Sequence, residues 1–154
     1  MAAARSPARR SPSAKKASRS RHVFLSYASQ DKEPAHQVAN ELRNAGFEPW
    51  LDEQQLQPGE NWSQAIGHAL ETSDAIVLIV SKAFLKSPRL IEEWNFAIGS
   101  KKHAGRVLPI VAPDAPDESV PWILKRLRHV KAGSDWRRTG RRAADLLREI
   151  ERSS

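Results

Sequence analysis

Residues 74–81 read DAIVLIVS. From Ala75 to Val80 every side chain is aliphatic. A strand with one face in water alternates apolar and polar residues, and this one does not. An unbroken apolar run of strand length is the signature of a central parallel strand covered by helices on both faces. That reading requires strands on either side and helices between them, and the flanking sequence supplies both.

Upstream, HVFLSY (22–27) is a short strand-forming run that ends in polar ASQD. Asp31 is placed to cap a helix. Ala35, Val38, Ala39, Leu42 and Ala45 then recur on one helical face, and Gly46 supplies the stop. FEPWLD (47–52) is a second strand, and EQQLQPGEN (53–61) a loop turning on Pro58-Gly59. Asn61 is placed to cap the next helix, whose inner face is Trp62, Ile66, Ala69 and Leu70. Downstream lie a helix within SPRLIEEWNFAIGS (87–100) and a fourth strand, RVLPIVA (106–112). Pro109 predicts an edge-like or irregular position for that strand. LRHVKA (127–132) is a candidate fifth strand, and a last helix buries Ala143, Leu146, Leu147 and Ile150. The alternation indicates an α/β chain, an open parallel sheet with helices on both faces. Sites on such sheets lie beyond the carboxyl ends of the strands. Here those ends are SYASQD, LDEQQLQPGE and SKAFLKSPRLIEE.

The net charge of +7 is unevenly placed. Residues 1–21 hold seven Lys/Arg and no acid, with no large apolar residue after Met1. Such a segment cannot bury a core, so 1–21 is expected to be a disordered basic tail ahead of a domain at 22–152. The tail suits a nucleic acid or another polyanion; a transit peptide or a dispensable extension are the other readings. From residue 22 onward the charges balance at 18 of each sign. They are still segregated: residues 22–122 carry 8 basic and 14 acidic groups, residues 123–154 carry 10 and 4. The basic C-terminal third either contacts polyanions or is a solvated helix face. With no cysteine, disulfides and thiolate metal sites are excluded. Neither a signal peptide nor an apolar run of membrane-spanning length is seen, so a cytoplasmic protein with no membrane partner is expected. The five histidines lack metal-ligand spacing, and no glycine-rich phosphate loop or Gly-x-Ser-x-Gly elbow occurs.

Two adjacent carboxylates, Glu92 and Glu93, stand in the helix after the central strand. Ser87 suits its N-cap and Pro88 its first turn. At about 100° per residue, Leu90, Ile91, Trp94, Ala97 and Ile98 share one apolar face. Glu92 falls roughly 160° from the centre of that face, in water, and Glu93 roughly 100° away, at its boundary. Only Glu93 can therefore reach the wall of a cleft. The plain alternative is that Glu93 pairs with Arg89, one turn earlier, on a solvated surface.

HVFLSYASQDK, GFEPWLDEQQLQPGENW and SDAIVLIVSKAFLKSPRLIEEW, in that order and spacing, resemble the three sequence boxes of the TIR (Toll/interleukin-1 receptor) domain family. The resemblance covers about residues 22–152 and is closest to bacterial-type, stand-alone members. It implies a flavodoxin-like fold with a five-stranded parallel sheet. Catalytic members cleave the nicotinamide–ribose bond of NAD+ by hydrolysis or by cyclisation, so the resemblance implies an NAD+ nucleosidase acting in defence or signalling. On the family pattern the catalytic glutamate falls on Glu93, the residue the helical wheel selects. Ala28, Ser29 and Gln54 fall where related enzymes contact NAD+, which is substrate; no cofactor and no metal are implied. Trp50 and Trp62 either offer stacking surfaces or belong to the core. LDEQQLQPGENW corresponds to the family's self-association loop, and a stand-alone member of this size is expected either to release a small-molecule product or to act on a separate effector protein. Arg89 and Leu90 replace the aromatic and the cysteine that many members carry. The competing readings are a non-enzymatic TIR scaffold and a nucleic-acid-associated protein acting through its tail.

Overall fold

The computed structural model describes residues 21–51, 68–69, 71–99 and 105–153. Five strands form one sheet: β1 (Arg21–Ser26), β2 (Phe47–Leu51), β3 (Ala75–Val80), β4 (Val107–Val111) and β5 (Val130–Lys131). Their spatial order is β2-β1-β3-β4-β5, and every pairing is parallel. The connecting helices are α1 (Lys32–Asn44), α2 (Lys82–Leu85), α3 (Pro88–Gly99), α4 (Trp122–Arg126) and α5 (Trp136–Ser153). Residues 68, 69, 71 and 72 are also helical. This is the flavodoxin-like α/β architecture expected from the alternation.

Every residue of β3 is buried, and its side chains alternate between two cores. Val77 and Ile79 join Val23, Leu25, Leu108 and Ile110 under α1 and α5, which add Val38, Leu42, Ala143 and Leu147. Ile76, Leu78 and Val80 join Phe24 on the other face, under Phe84 of α2, Leu90 and Trp94 of α3, and Leu124 of α4. Two faces, each roofed by helices, explain why no polar residue interrupts the run. The face expected on α1 is the one buried, and Gly46 ends that helix turn with φ +97°. Among the described residues, no helix is long and apolar enough to cross a membrane.

Pro109 does not mark an edge. Strand β4 lies between β3 and β5, with Pro109 in register with Leu78. The Ala112 N–H donates to Val80 O at 2.9 Å, and the Ala132 N–H to Val111 O at 2.9 Å. Alternation along β4 therefore points the backbone of Val111, and of Pro109 two residues earlier, toward β5. Strand β5 pairs only with Ile110 and Val111. No β5 residue is in register with Pro109, so proline is tolerated inside the sheet there.

Candidate active site

The strand order reverses between β1 and β3, and in open α/β sheets the ligand crevice lies at such a switch point, beyond the carboxyl ends of the two strands. One wall is the turn after β1. Tyr27 and Ala28 are buried, Ala28 within the core cluster beneath α2 and α3, while Ser29 is exposed. The chain then makes a 3-10 turn, Ser29–Asp31, closed by the Asp31 N–H donating to Ala28 O at 2.8 Å. Of the two residues expected to meet a ligand here, only Ser29 presents a side chain outward. Ala28 contributes backbone and close packing.

The second wall is the turn after β3. Ser81 is fully buried, and its Oγ accepts the Phe84 N–H at 3.1 Å, capping α2. Its hydroxyl proton is donated to Asp31 Oδ2. The sequence places Asp31 to cap α1 through its side chain, but it makes no such bond. Its carboxylate turns across the crevice to Ser81 instead. Burial pushes the Asp31 carboxyl up from the usual carboxylate range; the Ser81 bond opposes this and the charge of Asp114 adds to it. Asp114 belongs to the loop after β4, and its Oδ1 accepts the Lys82 N–H at 3.2 Å.

From this turn the chain enters α3. Ser87 caps it: the Leu90 N–H donates to Ser87 Oγ at 3.3 Å and the Ile91 N–H to Ser87 O at 3.0 Å. Leu90 and Trp94 are buried, Ile91 and Ile98 pack at the margin of the same core, and Glu92 is exposed. Glu93 occupies the second turn of α3, between exposed Glu92 and buried Trp94. Its side chain lies outside what is described. Gln54 and Trp62 also lie outside the described residues, as does the loop at 52–61. Trp50 is partly buried and stacks on Phe24, with ring centroids 5.1 Å apart and planes at 23°. It therefore reads as a packing residue.

The architecture thus brings the Ala28–Ser29 turn and the helix bearing Glu93 to one edge of the sheet. Sequence reasoning misses the Asp31–Ser81 bond, because fifty residues separate its partners. A usable signal exists: each is a polar residue just beyond the carboxyl end of one of two adjacent strands. Two cavities among the described residues lie at the other edge. One of about 330 Å³ is lined by Arg21, Gly46, Phe47 and Arg148, and one of about 280 Å³ by Val107, Arg126 and Ile150. Arg21, Phe47 and Val107 each begin a strand, which sets both cavities apart from the crevice.

The sequence pattern of the TIR domain family matches residues 23–147. A 2' cyclic ADP-D-ribose synthase of Bacteroides thetaiotaomicron, BtTIR, is 33% identical over 97 residues, 62% of this chain and 34% of its own. An NAD(+) hydrolase of Paracoccus denitrificans, PdTIR, is 31% identical over 99 residues, 62% of this chain and 33% of its own. The chain thus spans about a third of the length of these curated relatives. The crystal structure of the TIR domain of a Toll-related receptor from Hydra magnipapillata superposes with a TM-score of 0.65 at 22% identity. The match covers 84% of this chain and 97% of that one, a likeness of fold.

Proposed function

This chain belongs to the TIR domain family, and we propose that it cleaves the nicotinamide–ribose bond of NAD+, with Glu93 as the catalytic carboxylate. The products are nicotinamide and ADP-ribose or a cyclic isomer, used in immune or defence signalling. The observation that carries this reading is the placement of α3. The helix that carries Glu93 springs from the turn after the central strand, at the edge where the β1 turn also ends. The names of two relatives, an NAD(+) hydrolase and a cyclic ADP-D-ribose synthase, support the same bond as the target.

One carboxylate suffices for this chemistry. Nicotinamide departs as a neutral molecule from a cationic ring, so its leaving needs no general acid. The ribose left behind approaches an oxocarbenium ion, which water captures with loss of a proton to give ADP-ribose, or which a nucleophilic group of the same ADP-ribose captures to give a cyclic isomer. An anion fixed beside the ribose stabilises that charge more than it stabilises the ground state. Glu93 supplies the anion, Ser29 a hydroxyl, and the backbone at Ala28 a close-packed floor; Gln54 is the further contact implied by the family pattern. NAD+ is the substrate, and the reaction as written requires no cofactor. Self-association through residues 51–62, and a separate effector that responds to the product, belong to the same proposal.

The test incubates concentrated protein with NAD+ and resolves the products by chromatography and mass. Nicotinamide release by wild type and none by Glu93→Ala is the expected result. The mass of the second product separates hydrolysis from cyclisation. Equal release by both proteins assigns the activity elsewhere. Arg89, in place of an aromatic, favours a second reading, a non-enzymatic scaffold built on TIR–TIR association. Absence of release at high protein concentration supports that alternative.

A further inference from the structure

We propose that Asp31 is a positioning residue of this site: through Ser81 it ties the turn after β1 to the turn after β3, and so holds Ala28 and Ser29 against the helix that carries Glu93. The inference rests on the NAD+-cleaving reading above. Ser81 Oγ accepts a hydrogen bond from the Phe84 N–H, and an ionised Asp31 carboxylate can only accept, so the hydroxyl donates its own proton to Asp31. Both hydrogen-bonding roles of this fully buried side chain are thus used, one on each wall of the crevice. On its far side the same turn is held by Asp114, which accepts the Lys82 N–H at 3.2 Å. The start of α2, and α3 beyond it, is therefore pinned from β1 and from β4 at adjacent residues.

Asp31 is a poor choice if stability were its purpose. It stands at the N-cap of α1 without capping it. Its raised pKa means that folding disfavours its charged form, through burial first and the Asp114 charge as well. The sign follows: a carboxyl whose folded value lies above its unfolded value withdraws stability as pH rises from the ordinary range through the raised one. At neutral pH the charge of Asp31 opposes folding. What the carboxylate gains is the cross-crevice bond. A displacement of about 1 Å between catalytic groups lowers a rate by about 100-fold, and this bond spans the two walls between which such a displacement would occur.

The experiment measures nicotinamide release and thermal melting for wild type, Glu93→Ala, Asp31→Ala, Ser81→Ala, the Asp31→Ala/Ser81→Ala double variant and Asp31→Asn. Asp31→Ala and Ser81→Ala are each expected to lower kcat about 10- to 100-fold, with KM changed by less than about threefold. The double variant is expected to be no worse than the worse single one, because both remove one tie. Asp31→Asn keeps an oxygen that accepts from Ser81. It is expected to regain about tenfold over Asp31→Ala and to melt no lower than wild type. Multiplicative losses in the double variant overturn the proposal. So does wild-type kcat in Asp31→Ala while Glu93→Ala is inactive, which leaves the NAD+ reading standing. No release by wild type overturns the NAD+ reading itself, and the role of Asp31 with it.

Discussion

A Cβ added at Gly140 would lie 2.9 Å from Glu41 Cβ and 3.1 Å from Val38 Cα. Neither atom is the end of a flexible side chain, so α1 and α5 would have to separate. Alanine gains about 1 kcal/mol over glycine in helix propensity, while overpacking costs about 1–3 kcal/mol. Gly140→Ala is therefore expected to lower stability despite its better propensity, which urea denaturation will register as a lower midpoint. An unchanged or raised midpoint would show that the two helices part cheaply. Gly46 is constrained differently. A Cβ there would meet nothing within 4 Å, but the φ of +97° is one that side-chain-bearing residues rarely adopt. Single residues thus govern how closely elements approach and where they stop.

At the scale of the element, α3 matters most, because it carries Glu93. Its cap is Ser87, and Ser87→Ala is expected to cost about 1 kcal/mol. If α3 frays from that end, kcat for NAD+ cleavage should fall as well, and comparing melting with turnover separates the two effects. Leu90 is fully buried beneath the same helix, and Leu90→Ala is expected to cost about 2–5 kcal/mol by denaturant titration. Helix α5 starts on another cap. Asp135 Oδ1 accepts the N–H groups of Arg137 at 3.0 Å and Arg138 at 3.2 Å. The Arg138 N–H above all holds the Asp135 carboxyl below the usual range. A carboxyl lowered on folding contributes stability that is present above its unfolded value and is lost as pH falls through the folded one. The melting-temperature gap between wild type and Asp135→Ala should therefore be constant near neutrality. It should narrow below about pH 4, and a gap that persists into stronger acid would contradict the assignment.

Over the whole molecule, charge is segregated rather than excessive. Helix α5 exposes Arg137, Arg138, Arg141, Arg142, Arg148 and Arg152, and Arg21 at the start of β1 pairs with Glu151 near the end of that helix. The basic segment before residue 21 therefore joins the domain beside the C-terminal end of α5. If the segment binds nucleic acid, deleting residues 1–20 should abolish binding to a short DNA duplex and flatten its salt dependence. Binding that survives the deletion would move the footprint to α5. The proposed self-association belongs to this scale as well. Specific activity on NAD+ is expected to rise with protein concentration, and activity per molecule that stays flat across a hundredfold range would exclude assembly as the trigger.

The fold is legible in the chain because its deciding signals are local. Six consecutive aliphatic residues require cover on both faces, and the spacing of Ala35, Val38, Ala39 and Leu42 belongs to a helix and to nothing else. Serine followed by proline at 87 and 88 announces a helix start, and the same wheel separates exposed Glu92 from the boundary position of Glu93. These features follow from backbone periodicity and from the cost of leaving apolar or polar groups in the wrong medium, which each segment carries within itself. Tertiary structure decided the rest. Pro109 sits inside the sheet because β5 begins opposite Ile110, with no residue in register with the proline, and where β5 begins is invisible from position 109. Asp31 bonds Ser81 rather than its own helix, since only the folding of β1 beside β3 brings two residues fifty positions apart into contact. Period and burial are properties of a segment, whereas a hydrogen bond across a crevice depends on which strands become neighbours.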